Sequence, residues 1–426
     1  MAYRGNAEYE HGSYYKDEVK TSIKLTIAFA KAVGKHQEDQ SDNLVVSPYN
    51  ATAALSMVAK GAVGETRDEL AKALFATDGK GLDDAVAAYS KLNTDILKAN
   101  AGQVTLTTAN GVWTNKDLVT LRAAFAKDLK DTMGADISAE DYASPATVDK
   151  INKWASDNTN GLINKVLEEL SPDDAAVLAS ALHFKGEWTN KFDKALTEDK
   201  SFTQDGAAQA TTPTMHQDFE DEGGFRYQKG TGFEAISMTY GEKKHTDTEY
   251  KNPTMRLVLV RPTDDNVSAR DFLAAQENGK IPAWLDVYGY SDAVGSVELP
   301  RMDIKQKFDL IPALRDMGVD KAFGGGSFDN MVEKGGEKLY VSKVSHDTVF
   351  KTDEQGSEAA AVTTAVMTLE SVRMPPEQVD IKFDRSFLFA LQDVKTNAVL
   401  FIGAVNKPND DVKPAKAPKA KAPGLK

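Results

Sequence analysis

The sequence contains no cysteine, only six histidines in 426 residues, and no long apolar run. Without cysteine there is no disulfide framework, no thiol nucleophile and no thiolate metal site. No stretch reaches the roughly 18 consecutive apolar residues of a membrane-spanning helix. The first residues, MAYRGNAEYEHG, lack the charged start and apolar centre of a secretory signal. We therefore expect no membrane span. The location stays open: extracellular if a leader has been removed, cytoplasmic otherwise.

The chain also lacks an excess of basic residues. It has 51 Lys and Arg against 64 Asp and Glu, for a net charge of −13. Binding to nucleic acid requires a basic face, so we expect no nucleic-acid partner. An acidic surface instead favours encounter with a cationic protein.

Motifs of catalytic chemistry are missing as well. No H-E-x-x-H pair, G-x-S-x-G turn or phosphate-binding glycine loop is present. The histidines are scattered along the chain, so we expect no metal site, no cofactor and no enzyme activity; they are His11, His36, His183, His216, His245 and His346.

Helical patterns dominate the first part of the chain. Ser47 and Pro48 predict a helix start, because serine caps helices and proline fits their first turn. Thr66 to Glu69, TRDE, has the spacing of a capping box ahead of Leu70. Ser144 and Pro145 repeat the cap-then-proline start, and the pattern predicts a helix over 144–170.

Short β-branched and aromatic runs dominate the second part, and no linker separates it from the first. This order predicts an α+β fold. We expect a polar arm over 1–19, one domain over 20–408 and a disordered Lys/Ala/Pro-rich tail over 409–426. The tail is interpreted as a spacer; the alternative is an anchor to an anionic surface through Lys413, Lys416, Lys419 and Lys421.

The segment from Glu354 to Glu377 suits both a strand and a loop. It reads EQGSEAAAVTTAVMTLESVRMPPE. Side chains alternate between the two faces of a strand. One register is uncharged and mostly small, and so could enter a packed interior: Ser357, Ala359, Ala361, Thr363, Ala365 and Met367. The other could face water: Glu358, Ala360, Val362, Thr364, Val366 and Thr368.

Several ordered segments together resemble the serpins, protease inhibitors that insert their own bait loop into a β-sheet. The resemblance covers about Lys20 to Pro408. It is carried by NLVVSPYNATAALSMVAKGAVGETRDELAKAL, INKWASDNTNGLINKVL, ALHFKGEWTNKF, VELPRMDIKQKFDLIPALRDMGVDKAF and FLFALQDVKTNAVLFIGAVNKP. It implies a helix-rich part packed on a large central sheet, smaller sheets, and an exposed reactive-centre loop at about 354–376.

The resemblance also implies a mechanism. A serine protease attacks the loop, forms an acyl-enzyme, and is dragged across the molecule when the cleaved loop inserts as a new strand. The EQGSEAAA stretch is similar to the hinge at which inhibitory members begin insertion. The implied hinge residues are Glu354, Gly356, Ser357, Glu358, Ala359, Ala360 and Ala361.

A polar cluster is implied beneath the point where the sheet opens. Ser47 and His346 resemble members of that cluster, and Trp188 resembles the tryptophan beneath the loop's entry point. Two positions depart from the family pattern. Asn50 stands where the family has a serine, and Ser180 stands where it has an asparagine.

Two counts give different bait bonds. Counting forward from Glu354 by the family's fixed distance gives Glu370-Ser371, whereas counting back from Pro375-Pro376 gives Val372-Arg373. We prefer the hinge count, because the length of the inserted strand determines where the protease ends. A glutamate bait predicts elastase-like or acidic-residue-selective serine proteases as targets.

Three functions compete at this stage. The first is an inhibitory serpin that forms covalent complexes with serine proteases and is itself a monomer. The second is a non-inhibitory relative that acts as a carrier, a chaperone or a plain protease substrate. The third is an enzyme with an unrecognised site. The missing cysteines and signal favour a bacterial or intracellular member.

Overall fold

A computed structural model describes residues 16–205, 209–220, 224–245, 250–277, 280–336, 339–357, 376–409 and 413–414. The α-helices of these ranges are α1 Lys16–Lys35, α2 Pro48–Gly61, α3 Gly64–Phe75, α4 Leu82–Asn100, α5 Ala123–Met133, α6 Pro145–Asn158, α7 Ala269–Ala274 and α8 Ile311–Asp316.

The strands begin within the helical part and dominate after α6. They are β1 Leu44–Val46, β2 Thr105–Asn115, β3 Asp136–Glu140, β4 Ala176–Glu187, β5 Glu198–Thr203, β6 Gln209–Phe219, β7 Phe225–Gly230, β8 Phe233–Tyr240, β9 Lys244–His245, β10 Tyr250–Lys251, β11 Met255–Pro262, β12 Ser291–Pro300, β13 Met302–Asp309, β14 Ser345–Thr352, β15 Gly356–Ser357, β16 Glu377–Gln378, β17 Ile381–Lys382, β18 Phe387–Asp393, β19 Val399–Val405 and β20 Lys413–Pro414.

Helix starts follow the sequence signals unevenly. The Ser47 hydroxyl accepts a hydrogen bond from the amide of Asn50, which confirms the predicted cap of α2. The predicted capping box at Thr66 is wrong, because α3 begins two residues earlier at Gly64. Helix α1 begins at Lys16, inside the predicted polar arm. Lysine and glutamate are good helix formers, so this start extends the helix beyond the apolar pattern used to place it.

Helix α6 ends at Asn158, well before the predicted end at Leu170. Asn160 and Gly161 follow with positive φ angles of 52° and 79°, which a right-handed helix cannot contain. The chain then returns along the helix. The side-chain amide of Asn152 holds it there by accepting from the Leu167 amide at 2.9 Å and donating to the Leu167 carbonyl at 2.9 Å.

The sheets form one large assembly and a divided one. The large sheet has the order β1-β19-β18-β11-β8-β7-β12-β6-β20, with β5, β16 and β17 pairing alongside. The divided one contains a four-stranded sheet in the order β15-β4-β2-β3 and a separate hairpin of β13 and β14. These strand orders and the helices confirm the predicted α+β class.

Strand β11 separates two hydrophobic cores. Val258 and Val260 face the core that is built mainly from helices, whereas Leu257 and Leu259 face a second core under the divided sheet. All four side chains are fully buried. Alternation along a strand explains how one continuous apolar run serves both cores. The second core supports the strands that border the candidate site.

Candidate functional site

A gap in strand pairing lies between β4 and β14. Strand β4 pairs with β2 along one edge, and β14 pairs with β13. Among the residues that the structure describes, β4 and β14 are joined only where β15 follows β14 and pairs with the end of β4. The cavity beside this gap is lined by Leu162, Leu182, Phe184, Val349, Phe350, Lys351, Ser357 and Phe401.

A tight turn leads the chain from β14 towards the gap. The Asp353 amide donates to the Gly356 carbonyl at 2.8 Å, and the Gly356 amide donates back at 3.2 Å. Gly356 and Ser357 then pair antiparallel with Glu187 and Gly186 of β4. The first two residues after the turn are therefore already part of the sheet.

Only glycine fits at position 356. Its φ angle is +146°, a conformation that L side chains rarely adopt. A Cβ atom there would lie 2.1 Å from the Gly186 carbonyl oxygen and 2.7 Å from the Cα of Glu187. The same crossing constrains Gly186, where a Cβ would lie 2.8 Å from the Phe184 ring. These contacts explain two glycines that the sequence alone presents as flexible residues.

Glu354 fixes the turn from below. Its side chain is almost fully buried, and Arg301 donates to it through Nε at 2.9 Å and Nη2 at 2.6 Å. Thr197 donates to the same carboxylate oxygen. Burial raises the pKa of Glu354, but the hydrogen bonds from Arg301 and Thr197 outweigh it and leave the pKa below its usual value. The hinge begins at a buried ion pair.

Trp188 and Tyr240 support the turn and the first inserted residues. The Trp188 indole donates to the Asp353 carbonyl at 2.9 Å. Its ring stacks on that of Tyr240, with centroids 4.3 Å apart and planes 13° apart. The Tyr240 hydroxyl lies 2.9 Å from the Ser357 hydroxyl. Trp188 was identified from the sequence, whereas Tyr240 was missed because it lies in a different segment with no motif of its own.

A polar cluster under the gap joins helix α2 to both bordering strands. The Ser47 amide donates to Nε2 of His346 on β14 at 3.0 Å, and its hydroxyl donates to the Leu400 carbonyl at 2.6 Å. Asn50 donates to the Ser180 carbonyl of β4 at 2.9 Å. Helix α2 therefore bridges the two strands where the sheet divides.

The two departures from the family pattern compensate for each other. Besides the bond to the Ser180 backbone, the Ser180 hydroxyl donates to the Asn50 side-chain oxygen at 2.6 Å. An asparagine and a serine thus still meet across the same interface, with their positions exchanged. The link between α2 and β4 is retained by this chain in reversed form.

His346 is fully enclosed in this cluster. Its ring meets Phe29 edge-on, with centroids 6.1 Å apart. Burial lowers the pKa of His346 to about 4, so the imidazole is neutral at physiological pH. The neutral ring can accept the hydrogen bond from Ser47, which an imidazolium could not.

The remaining predicted site residues lie outside the described residues: Glu358, Ala359, Ala360, Ala361, Glu370, Ser371, Val372 and Arg373. The described chain resumes at Pro376, and Glu377 and Gln378 pair parallel with Ala293 and Val294 of β12. The two ends of the predicted loop are therefore anchored in different sheets.

Neither a metal centre nor a membrane span was found in the described ranges. No group of three or more His, Asp or Glu side chains there could hold a metal ion. No helix in the same ranges is long and apolar enough to cross a bilayer.

A family model described as Serpin (serine protease inhibitor) matches residues 21–408. The chain belongs to the serpin family. Serpins are as a rule protease inhibitors and not catalysts, which agrees at the family level with the missing catalytic motifs.

Relatives and solved structures agree with the match. The chain is 30% identical to Serpin-Z10 of Arabidopsis thaliana over 378 residues, which cover 86% of this chain and 92% of that protein. It is similar to the native state of tengpin, a thermophilic serpin, with 26% identity, a TM-score of 0.73, and coverage of 90% and 94%. It is also similar to Arabidopsis AtSerpin1 in its native stressed conformation, with 26% identity, a TM-score of 0.75, and coverage of 92% and 98%.

Proposed function

We propose that this serpin inhibits serine proteases as a suicide substrate, and that the loop after Ser357 is the bait. The pairing of Gly356 and Ser357 with β4 carries the proposal. It places the start of the loop at the mouth of the gap between β4 and β14. A strand that continues from Ser357 would run antiparallel to β4 and fill that gap.

The side-chain pattern supports the same path. Ser357 is buried, so the register that contains Ser357 points inward at the start of the loop. Continued by alternation, that register contains the uncharged residues from Ala359 to Met367. These side chains could enter the interior without burying a charge or overpacking it.

Insertion would supply enough free energy to displace a protease. At a net stabilisation of about 1 kcal/mol per hydrogen bond, some ten inserted residues would contribute on the order of 10 kcal/mol. Insertion would also bury the small inward side chains. The uncleaved protein would then be a kinetically trapped state.

We propose Glu370-Ser371 as the scissile bond, with Val372-Arg373 as the runner-up. The hinge count starts at Glu354, whose burial and ion pair with Arg301 make it a fixed reference point. Glu370 in a protease's primary pocket would favour elastase-like or acidic-residue-selective enzymes. It would be rejected by a pocket whose carboxylate selects arginine.

The test is incubation of the protein with a panel of serine proteases that includes elastase-like, acidic-residue-selective and trypsin-like enzymes. We expect an SDS-stable covalent complex with an enzyme of one of the first two classes. Loop cleavage without a complex with any enzyme would contradict inhibition and favour a carrier, chaperone or substrate role.

The released fragment decides the bait bond. In a denatured complex, mass spectrometry should find a new N-terminus at Ser371. A fragment that begins at Arg373 would establish the count from the prolines and change the target class. The variant Glu370→Arg should gain inhibition of trypsin-like enzymes, because arginine pairs with their pocket carboxylate. The control Arg373→Ala should leave inhibition unchanged.

A further inference from the structure

The chain continues beyond the matched family region, which ends at residue 408. Lys413 and Pro414 form strand β20 and pair antiparallel with Thr211 and Ala210 of β6. The sequence predicts a disordered tail over 409–426, and this pairing differs from that prediction. The difference arises because the tail's composition carries no information about a strand edge far away in the sequence.

The backbone of β6 offers an open edge at this place. Strand β6 pairs with β5 along one side over residues 209–214. On its other side, β12 pairs only with residues 214–219. Residues 209–213 of that second side are therefore left for another partner, among the strands that the structure describes.

The direction of the Thr211 backbone identifies the partner. The Pro213 carbonyl accepts from the Arg301 amide at 2.9 Å, so position 213 points its backbone groups away from β5. Backbone groups two residues apart in a strand point to the same side. The N–H and C=O of Thr211 therefore point at Lys413, its register partner in β20.

Two contacts hold the start of the tail beside this edge. The Asp303 amide donates to the Pro408 carbonyl at 3.0 Å. The Asn409 side-chain amide donates to the Thr212 hydroxyl at 2.9 Å, and Thr212 is fully buried. Because Asn409 is fixed in this way, only a short span of chain is needed to bring Lys413 to Thr211.

We propose that the edge of β6 at residues 209–213 is a strand-docking surface, and that its occupant is the chain's own C-terminal segment 409–414. An open edge presents unpaired backbone groups that invite pairing with another chain. An added strand satisfies them through main-chain hydrogen bonds. The anchored Asn409 favours the segment of the same molecule over that of a second copy.

The docked segment lies close to the loop hinge. Arg301, whose amide holds Pro213 beside the docking edge, also donates through its guanidinium to the buried Glu354. Asp303, which holds Pro408, forms an ion pair with Lys351 of β14 at 2.8 Å. Docking of the tail therefore braces the two residues that connect the small strands to the gap.

A disulfide tests the docking, and the cysteine-free chain makes the test clean. Thr211→Cys with Lys413→Cys places two cysteines at register partners about 5.5 Å apart between Cα atoms, within the range for a disulfide. Thr211 is exposed, so its replacement should not disturb the fold. The matched control is Thr211→Cys with Lys419→Cys.

We expect the first pair to oxidise within one molecule about tenfold faster than the control, because docking raises the local concentration of its partner. Equal rates for the two pairs would overturn the proposal. Disulfide-linked dimers as the main product would also overturn it, since the occupant would then be a second copy.

Amide exchange on the full chain gives a second measurement. We expect the Thr211 amide to be protected in the unmodified protein. Lys413→Pro removes the amide of the tail strand and should accelerate exchange at Thr211 by about tenfold or more. Lys419→Pro should leave it unchanged. Equal exchange at Thr211 in the unmodified protein and in Lys413→Pro would contradict docking.

Discussion

The hydroxyl of Ser357 lies 2.9 Å from the hydroxyl of Tyr240. Both side chains are buried, and Tyr240 stacks on Trp188, which in turn holds the turn at Asp353. This contact fixes the side of the strand that faces the interior at the first residue of the loop. Every later inward position of the proposed strand follows from it by alternation.

The register can be tested two strand positions further on in each face. Ala361 belongs to the inward register set by Ser357, whereas Ala360 belongs to the outward one. Ala361→Glu would bury an unpaired carboxylate on insertion, at a cost of several kcal/mol. We expect it to fold normally but to be cleaved as a substrate. Its complexes should disappear in an SDS gel.

Ala360→Glu is the matched control for this change. Its carboxylate would face water after insertion, so complexes should form as in the unmodified protein. Complex formation by Ala361→Glu together with its loss in Ala360→Glu would show that the inward register is the opposite one.

The exchanged pair Asn50 and Ser180 predicts a compensating double variant. Asn50→Ser and Ser180→Asn each leave two like side chains that cannot repeat the reciprocal hydrogen bonds. Each should lower the free energy of unfolding by about 1–2 kcal/mol. The double variant restores one asparagine and one serine and should recover at least half of the combined loss, as measured by urea denaturation.

Strict additivity in this double-mutant cycle would contradict the account. It would mean that the two side chains contribute to stability independently, although they bond in the structure.

His346 makes stability depend on pH. Its pKa is about 4 in the folded chain because of burial, against 6.5 for the ordinary side chain. The unfolded chain therefore takes up this proton first as the pH falls. The stability that neutral His346 provides is complete above pH 6.5 and is lost progressively between pH 6.5 and 4. Between pH 7.5 and 5 the loss should be about 2 kcal/mol.

The variant His346→Gln isolates this contribution. Glutamine can accept the hydrogen bond from the Ser47 amide but does not titrate. Urea denaturation at pH 7.5 and at pH 5 should show a smaller loss for the variant than for the unmodified protein, by that same amount. Equal losses would assign the pH dependence to other groups.

The sequence predicts the parts of the site that depend on neighbours along the chain. The cap at Ser47 is an example, because the serine, the following proline and the amide of Asn50 all lie within one turn. The alternation after Ser357 is another, since the strand period is a property of local geometry. The family resemblance added the pairing of His346 with Ser47, which lie far apart in the sequence.

Other parts depend on distant contacts and could not be predicted in this way. Gly356 requires glycine because Gly186 crosses it, and no local pattern reports that crossing. Helix α6 was predicted too long because its apolar pattern continues past Asn160 and Gly161, while the backbone there turns left-handed. Tyr240 enters the site only through the pairing of β8 with its neighbours.

The central claim is that the loop inserts between β4 and β14, and calorimetry on the cleaved protein tests it most directly. A protease that cuts within 366–374 would release the strand while leaving its start paired at Ser357. We expect the melting temperature to rise by tens of degrees, since the inserted strand adds hydrogen bonds and apolar contacts to the sheet. A cleaved protein whose melting temperature is unchanged or lower would contradict insertion.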